Sequence, residues 1–363
     1  MSQFLNKIKY LIVLLIACNQ ISQAQQKFAD DLKVMVNYHT GLILPEYPFF
    51  TYIVNDYVHS LDVCLIKETN GKNMWEQLYN YPGYGISLFY STLGNDKILG
   101  REIALNYFFI MNIISKGNFR LYNRTGFGLG YISRKFDINN NYLDVAVGSN
   151  INIHFNLRFG INYSLSNKID LNAGLSFDHF SNANTSAPNL GVNYVTSYGG
   201  LSYTIGQKLE KEKHEYEPHI RKNNVEIFAS IGGKYTREMS TSYYMTSSVS
   251  LELTREYFRT FYLGTGLDMF YDSSVKEQLE SKGEAFKSSD NFQTGIHISQ
   301  EFVYNRASII VQEGIYLYQV NQKLIYNRAI FKYRITDNLL IRVAMKSHLH
   351  ILDYPEFGIG YKF

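Results

Sequence analysis

From Ile151 to Leu165 the chain alternates apolar and polar residues without a break. Ile151, Ile153, Phe155, Leu157, Phe159, Ile161, Tyr163 and Leu165 fall on one parity, and Asn152, His154, Asn156, Arg158, Gly160, Asn162 and Ser164 on the other. Successive side chains of a strand point to opposite faces, so this run is a strand with one face in an apolar medium and one among polar groups. A soluble edge sheet rarely keeps such alternation for so long. A weaker version recurs at 325–335, where Ala329, Phe331, Tyr333 and Ile335 share one face and Arg328, Lys332 and Arg334 the other. These basic groups are expected to line a wet interior.

Composition agrees with strands. The chain has 31 Tyr and 24 Phe but only 6 Pro in 363 residues, a usage that favours sheet over helix. Beyond the N-terminus no run of about 18 apolar residues could cross a bilayer as a helix. A chain of this kind crosses a membrane as a closed antiparallel β-barrel, an all-β transmembrane fold. Segments of roughly ten residues give about eight strands between Asp31 and Ile205 and about as many from Asn224 to Phe363. The charged stretch 206–223, with Lys208, Glu210, Lys211, Glu212 and Lys213, reads as a periplasmic linker between the halves 25–205 and 224–363. Gly199 to Ile205 faintly echoes the last strand, so the second half reads as a diverged copy of the first. One barrel of about 14 to 16 strands is favoured, because transmembrane barrels close with an even count and only the last strand, Phe357 to Phe363, resembles the terminal signature that the barrel-assembly machinery recognises through a final aromatic, here Phe363.

Residues 1–24 read as an export signal, with Lys7 and Lys9 as the basic region, Tyr10 to Ala17 as the apolar one and Ser22-Gln23-Ala24 as the cleavage site. Lipoprotein processing at Cys18 is the rival reading. Cleavage lowers the formal charge from +3 to +1, too little to suggest a nucleic-acid partner. Cys64 is then the one cysteine left, which excludes an intrachain disulfide and argues against thiolate metal sites.

The stretch that carries chemistry is Asp178-His179-Phe180-Ser181-Asn182-Ala183-Asn184, followed by Pro188-Asn189-Leu190-Gly191-Val192-Asn193. His179 and Ser181 share a strand face with Phe177, Leu175, Ala173 and Leu171, so an imidazole and a hydroxyl end an otherwise lipid-facing stripe. Polar groups there are costly without a purpose. The strand is the seventh from a periplasmic N-terminus, which puts this end at the outer leaflet. Asn193 has the parity of Val195, Leu201, Tyr203 and Ile205 and faces the same way. A serine becomes a nucleophile when a base takes its proton and a third group orients that base; Ser181, His179 and Asn193 fit those roles in that order.

The His-x-Ser-Asn-Ala run His179 to Ala183, with Pro188-Asn189-Leu190-Gly191, resembles the outer-membrane lipid A 3-O-deacylases (PagL-like), which include proteins labelled acyloxyacyl hydrolases. The resemblance implies an eight-stranded barrel for roughly the first 205 residues, Ser181 as nucleophile, His179 as base, and Asn182, Ala183 and Asn189 at the oxyanion or substrate-binding positions. It implies an integral outer-membrane enzyme whose partner is lipid A or lipopolysaccharide of the outer leaflet, with no cofactor and with homodimerisation left open. Two positions depart from the family: Asn184 where a Gly is usual, and Asn193 where the catalytic Glu is expected. The run also resembles outer-membrane phospholipase A, in which an Asn completes the triad. A transport or structural barrel is the further alternative.

Other polar clusters are set aside. His214 to His219 has the wrong spacing for a zincin, and Pro218 would break the helix such a site needs, so it reads as a turn. His348 and His350 share a face with Arg342 and Lys346 and point into the lumen. His39, His59, His154 and His297 read as lining or loop groups. No metal site is predicted.

Overall fold

The computed structural model describes residues 30–45, 48, 50–183, 185–236, 242–320, 324–349 and 351–363. The export signal, Cys18, Asn184 and His350 lie outside the described residues.

Sixteen strands form among the described residues. The first eight are β1 (Leu32–Leu44), β2 (Val58–Glu68), β3 (Gly83–Thr92), β4 (Arg101–Lys116), β5 (Phe119–Ile132), β6 (Ile151–Ser164), β7 (Ile169–Ser181) and β8 (Val192–Thr204). The rest are β9 (Asn223–Tyr235), β10 (Tyr243–Phe258), β11 (Phe261–Asp272), β12 (Phe292–Tyr304), β13 (Ala307–Tyr318), β14 (Ile325–Arg334), β15 (Leu339–His348) and β16 (Ile351–Lys362).

The strands close as two eight-stranded antiparallel barrels, correcting the expected single barrel of about 14 to 16 strands. The first closes where β1 pairs with β8 from Lys33 opposite Thr204 to Leu44 opposite Asn193. The second closes where β9 pairs with β16 from Glu226 opposite Lys362 to Gly232 opposite Glu356. Between them, 206–222 holds no helix or strand. Its first part is tied to a turn of the first barrel, where Glu212 N–H donates to Asn70 O (2.7 Å) and Tyr81 Oη donates to Glu212 O (3.0 Å). With no helix under His214 and His219, these residues stand in irregular chain.

In both barrels apolar side chains face out and polar ones are buried. Along β6 the apolar parity is exposed or half-exposed while Asn152, His154, Asn156, Arg158 and Asn162 are buried. An eight-stranded barrel is just wide enough for its side chains to fill it, and these fill it with ion pairs. In the first barrel Asp62 accepts from Arg124 Nη1 (2.7 Å) and also from Arg158. Arg124 Nη2 reaches Ser87 Oγ (2.9 Å) as well. In the second, Asp268 takes Arg328 and His297 Nδ1 (2.6 Å), and Lys332 bridges Glu226 (2.8 Å) and Glu301 (2.9 Å). The expectation that Arg328 and Lys332 line a wet interior is thus corrected: both are buried, because each basic group meets a carboxylate from a strand distant in sequence. Arg334 sits at a turn and donates to Asn305 O (3.3 Å).

The histidines divide. His39, His154 and His297 are buried inside the barrels, and His348, on the inward parity, contacts Tyr316 Oη through Nε2 (2.9 Å). His59 is on the outward parity of β2 and contacts Tyr38 Oη through Nδ1 (2.7 Å), so it is not a lining residue.

The turn between β6 and β7 and the turn between β14 and β15 repeat one pattern at an offset of 170 residues. The turn after β6 has Leu165 N–H donating to Ile169 O (2.9 Å) and Ile169 N–H to Ser166 Oγ (3.1 Å); the turn after β14 has Ile335 N–H to Leu339 O (2.9 Å) and Leu339 N–H to Thr336 Oγ1 (2.9 Å). Arg158 and Arg328 correspond in the same register, each buried and paired with an aspartate.

Candidate active site

The site grows out of the upper end of β7 and the loop that follows. In β7 the inward positions Asp170, Asn172, Ser176, Asp178 and Phe180 are buried, while Ile169, Leu171, Ala173 and Leu175 are exposed; His179 and Ser181 continue the outward parity and are half-buried. Asp178 and His179 therefore point to opposite sides of the wall. Asp178 is held inside, facing His154 Nε2 (3.3 Å) and accepting from Ser176 Oγ (2.5 Å). It is adjacent to His179 in sequence but is not the acid that orients it.

That contact comes from β8. His179 and Asn193 are directly opposed in the ladder, and His179 Nδ1 lies 2.6 Å from Asn193 Oδ1. A carboxamide oxygen only accepts, so the hydrogen is on Nδ1 and the lone pair on Nε2 is available as a base. Asn193 shares its outward parity with Val195, Leu201 and Tyr203.

The loop 182–191 is built around Asn182. Its backbone N–H donates to Asn189 Oδ1 (2.8 Å), its Nδ2 to Ser186 O (2.8 Å), and its carbonyl accepts from Thr185 Oγ1 (2.7 Å) and Thr185 N–H (3.2 Å). Ala183 takes a left-handed backbone (φ 55°) and is buried, so the chain reverses immediately after the hydroxyl. Gly191 (φ 72°) is also left-handed, where a Cβ would be strained. The Asn182 amide, a candidate oxyanion donor by sequence, is thus engaged by Asn189. With Oδ1 occupied, the donors Asn189 has left are the two hydrogens on Nδ2.

A second loop, 136–149, supports the first. Gly191 N–H donates to Ala146 O (2.9 Å), Ser186 Oγ to Gly148 O (3.1 Å), and Val147 and Asn189 form an isolated bridge. Within this loop Asp144 is buried and accepts from Ala146 N–H (3.2 Å). Burial pushes its carboxyl up to about 7, opposed by the amides of Ala146 and Val147. Sequence reasoning missed Asp144; its signal is an acid two and three residues before the amides it holds, which loop sequence alone does not distinguish from a solvated aspartate. Among the described residues no group of His, Cys, Asp and Glu is arranged to hold a metal ion.

Residues 65–202 match the family model described as lipid A 3-O-deacylase (PagL), and residues 223–363 match the acyloxyacyl hydrolase C-terminal domain. The chain belongs to the PagL-like lipid A 3-O-deacylase family. Family membership places it among hydrolases that act on lipid A, and the second barrel is matched by a domain model of its own rather than being an unrelated addition. Comparison with curated proteins finds no match. Among solved structures the chain is similar to Neisserial surface protein A, at 12% identity over 48% of this chain and 97% of that one with a TM-score of 0.34. It is also similar to a Rhodopseudomonas blastica porin variant, at 7% identity over 92% and 100% with a TM-score of 0.18.

Proposed function

We propose that this deacylase is an integral outer-membrane serine esterase that removes an ester-linked acyl chain from lipid A of the outer leaflet. The observation that carries the reading is the 2.6 Å contact between His179 Nδ1 and Asn193 Oδ1 on the outward face of the wall, which leaves Nε2 as the base toward Ser181. Ser181 Oγ attacks the acyl carbonyl as His179 takes its proton. Collapse of the tetrahedral intermediate releases the sugar hydroxyl, protonated by His179, and leaves an acyl-serine. Water, deprotonated by the same imidazole, then frees the fatty acid and restores Ser181. Preorganised donors at the developing oxyanion supply the largest electrostatic contribution in such chemistry, and Asn189 Nδ2 fits that role. The apolar outward faces support placement in a bilayer, and interiors filled by ion pairs support an enzyme rather than a channel.

The test gives purified protein lipid A and glycerophospholipid separately and reads products by mass spectrometry. Loss of one hydroxyacyl mass from lipid A is expected. Lysophospholipid alone would move the protein to phospholipase activity, a reading favoured by the amide at Asn193, and no product from either lipid would remove the esterase proposal.

Asn193→Asp keeps the geometry but offers His179 a carboxylate. A charge-assisted bond is stronger by about 1 kcal/mol, so kcat is expected to rise roughly five-fold, whereas Asn193→Ala lowers it. A pH–rate profile of the three proteins checks this: the ionised partner also raises the apparent pKa of the base, and an unchanged profile in Asn193→Asp would remove Asn193 from the role.

A further inference from the structure

We propose that Asp144 is a positioning residue for deacylation, its buried carboxylate holding the 144–147 turn so that Asn189 stays locked onto the amide behind Ser181. The inference rests on the reading of Ser181 as the nucleophile.

The connection is a short series of contacts. Asp144 Oδ1 accepts from Ala146 N–H at 3.2 Å and caps Val147 N–H too. The capped residues are the ones that grip the catalytic loop: Ala146 O takes Gly191 N–H at 2.9 Å, and Val147 bridges Asn189. Val147 O is held from its other side by Phe136 N–H (2.9 Å). Asn189 in turn holds Asn182 N–H at 2.8 Å, one residue beyond the hydroxyl.

A fully buried carboxyl is costly unless its bonds are needed. Asp144 is fully buried, and its Oδ2 has no hydrogen-bond partner among the described residues. An apolar residue would fill that place at lower cost. What the acid supplies is an acceptor for two successive amides, which is a means of fixing backbone. Misplacement of reacting groups by about 1 Å costs on the order of a hundred-fold in rate, so a device that sets the position of Asn182 and Asn189 acts on kcat more than on KM.

The experiment compares wild type, Asp144→Ala, Asp144→Asn and Ser181→Ala, each as full-length protein in detergent, in lipid A hydrolysis and in backbone amide hydrogen exchange. Asp144→Ala is expected to lose about ten- to a hundred-fold in kcat with KM nearly unchanged, and to speed exchange at Asn182 and Gly191 while the strand amides of β7 and β8 stay protected. Asp144→Asn keeps the Oδ1 acceptor and is expected to recover most of both readouts. Wild-type kinetics in Asp144→Ala, unchanged exchange at Asn182 and Gly191, or no recovery in Asp144→Asn would each overturn the proposal. Activity of Ser181→Ala equal to wild type would instead overturn the reading of the nucleophile, and the exchange data would still judge the positioning of the loop. If Asp144→Ala does not give a folded barrel, Asp144→Ser, too short to reach both amides, takes its place with the same expectations.

Discussion

Ser181→Ala is expected to leave lipid A with its full complement of acyl chains, and the purified variant to hydrolyse it at least about a thousand-fold more slowly than wild type. The hydroxyl is the group whose bond to the acyl carbon the proposed mechanism requires, and neither orientation by Asn193 nor oxyanion donors can replace it. The side chain sits at the last residue of β7 and is half-buried, outside the packed interior, so the barrel should fold normally. Mass spectrometry of lipid A from cells making equal amounts of folded wild type and variant is the direct reading. Equal loss of the acyl group in both would remove Ser181 from the mechanism, whatever the fate of the fold.

The largest loss of stability is expected at Asp62→Ala. This carboxylate sits between two buried guanidinium groups, those of Arg124 and Arg158. Its removal leaves Arg124 with the neutral partners Ser87 and Cys64, and Arg158 with Ser176 and a longer approach to Asp178 (3.9 Å). Breaking a buried pair from one side typically costs about 3–5 kcal/mol, and Arg124 is the cation left without an acidic partner at its side chain among the described residues. Urea titration of the barrel refolded in detergent should show a lower midpoint, with Asp62→Asn intermediate because it still accepts one hydrogen bond. An unfolding free energy within about 0.5 kcal/mol of wild type would mean that the arginines find other anions or water once Asp62 is gone.

The sequence made some of this legible and hid the rest for physical reasons. The unbroken alternation of 151–165 is a local property, and the structure has β6 there with the polar parity inside. The parity that sets His179, Ser181 and Asn193 on one outward face is local too. Closure is not. Whether β8 returns to β1 or passes on to β9 depends on which edges find each other, and pairs such as Lys33 opposite Thr204 leave no mark in any short window. Ion pairing inside the barrels hides likewise: Arg158 reads as a solvated lumen charge until Asp62, far away in sequence, is seen to meet it. Asn189 is the instructive case within the site. Its place in a Pro-Asn-x-Gly run pointed to the oxyanion or substrate-binding positions, but not to the bond its Oδ1 accepts from the Asn182 amide, which depends on the path of the loop between them.

The outward aspect of His179 and Ser181 changes what concentration means for the proposed site. A site on the outer surface of a barrel wall meets its substrate by diffusion in two dimensions, so its rate follows the mole fraction of lipid A in the surrounding film and not the amount per volume of water. Adding buffer to proteoliposomes should leave turnover unchanged, while adding inert lipid to the same bilayer should slow it in proportion. A competitive inhibitor of such a site is selected first by how it partitions into the leaflet and only then by how it fits against Ser181.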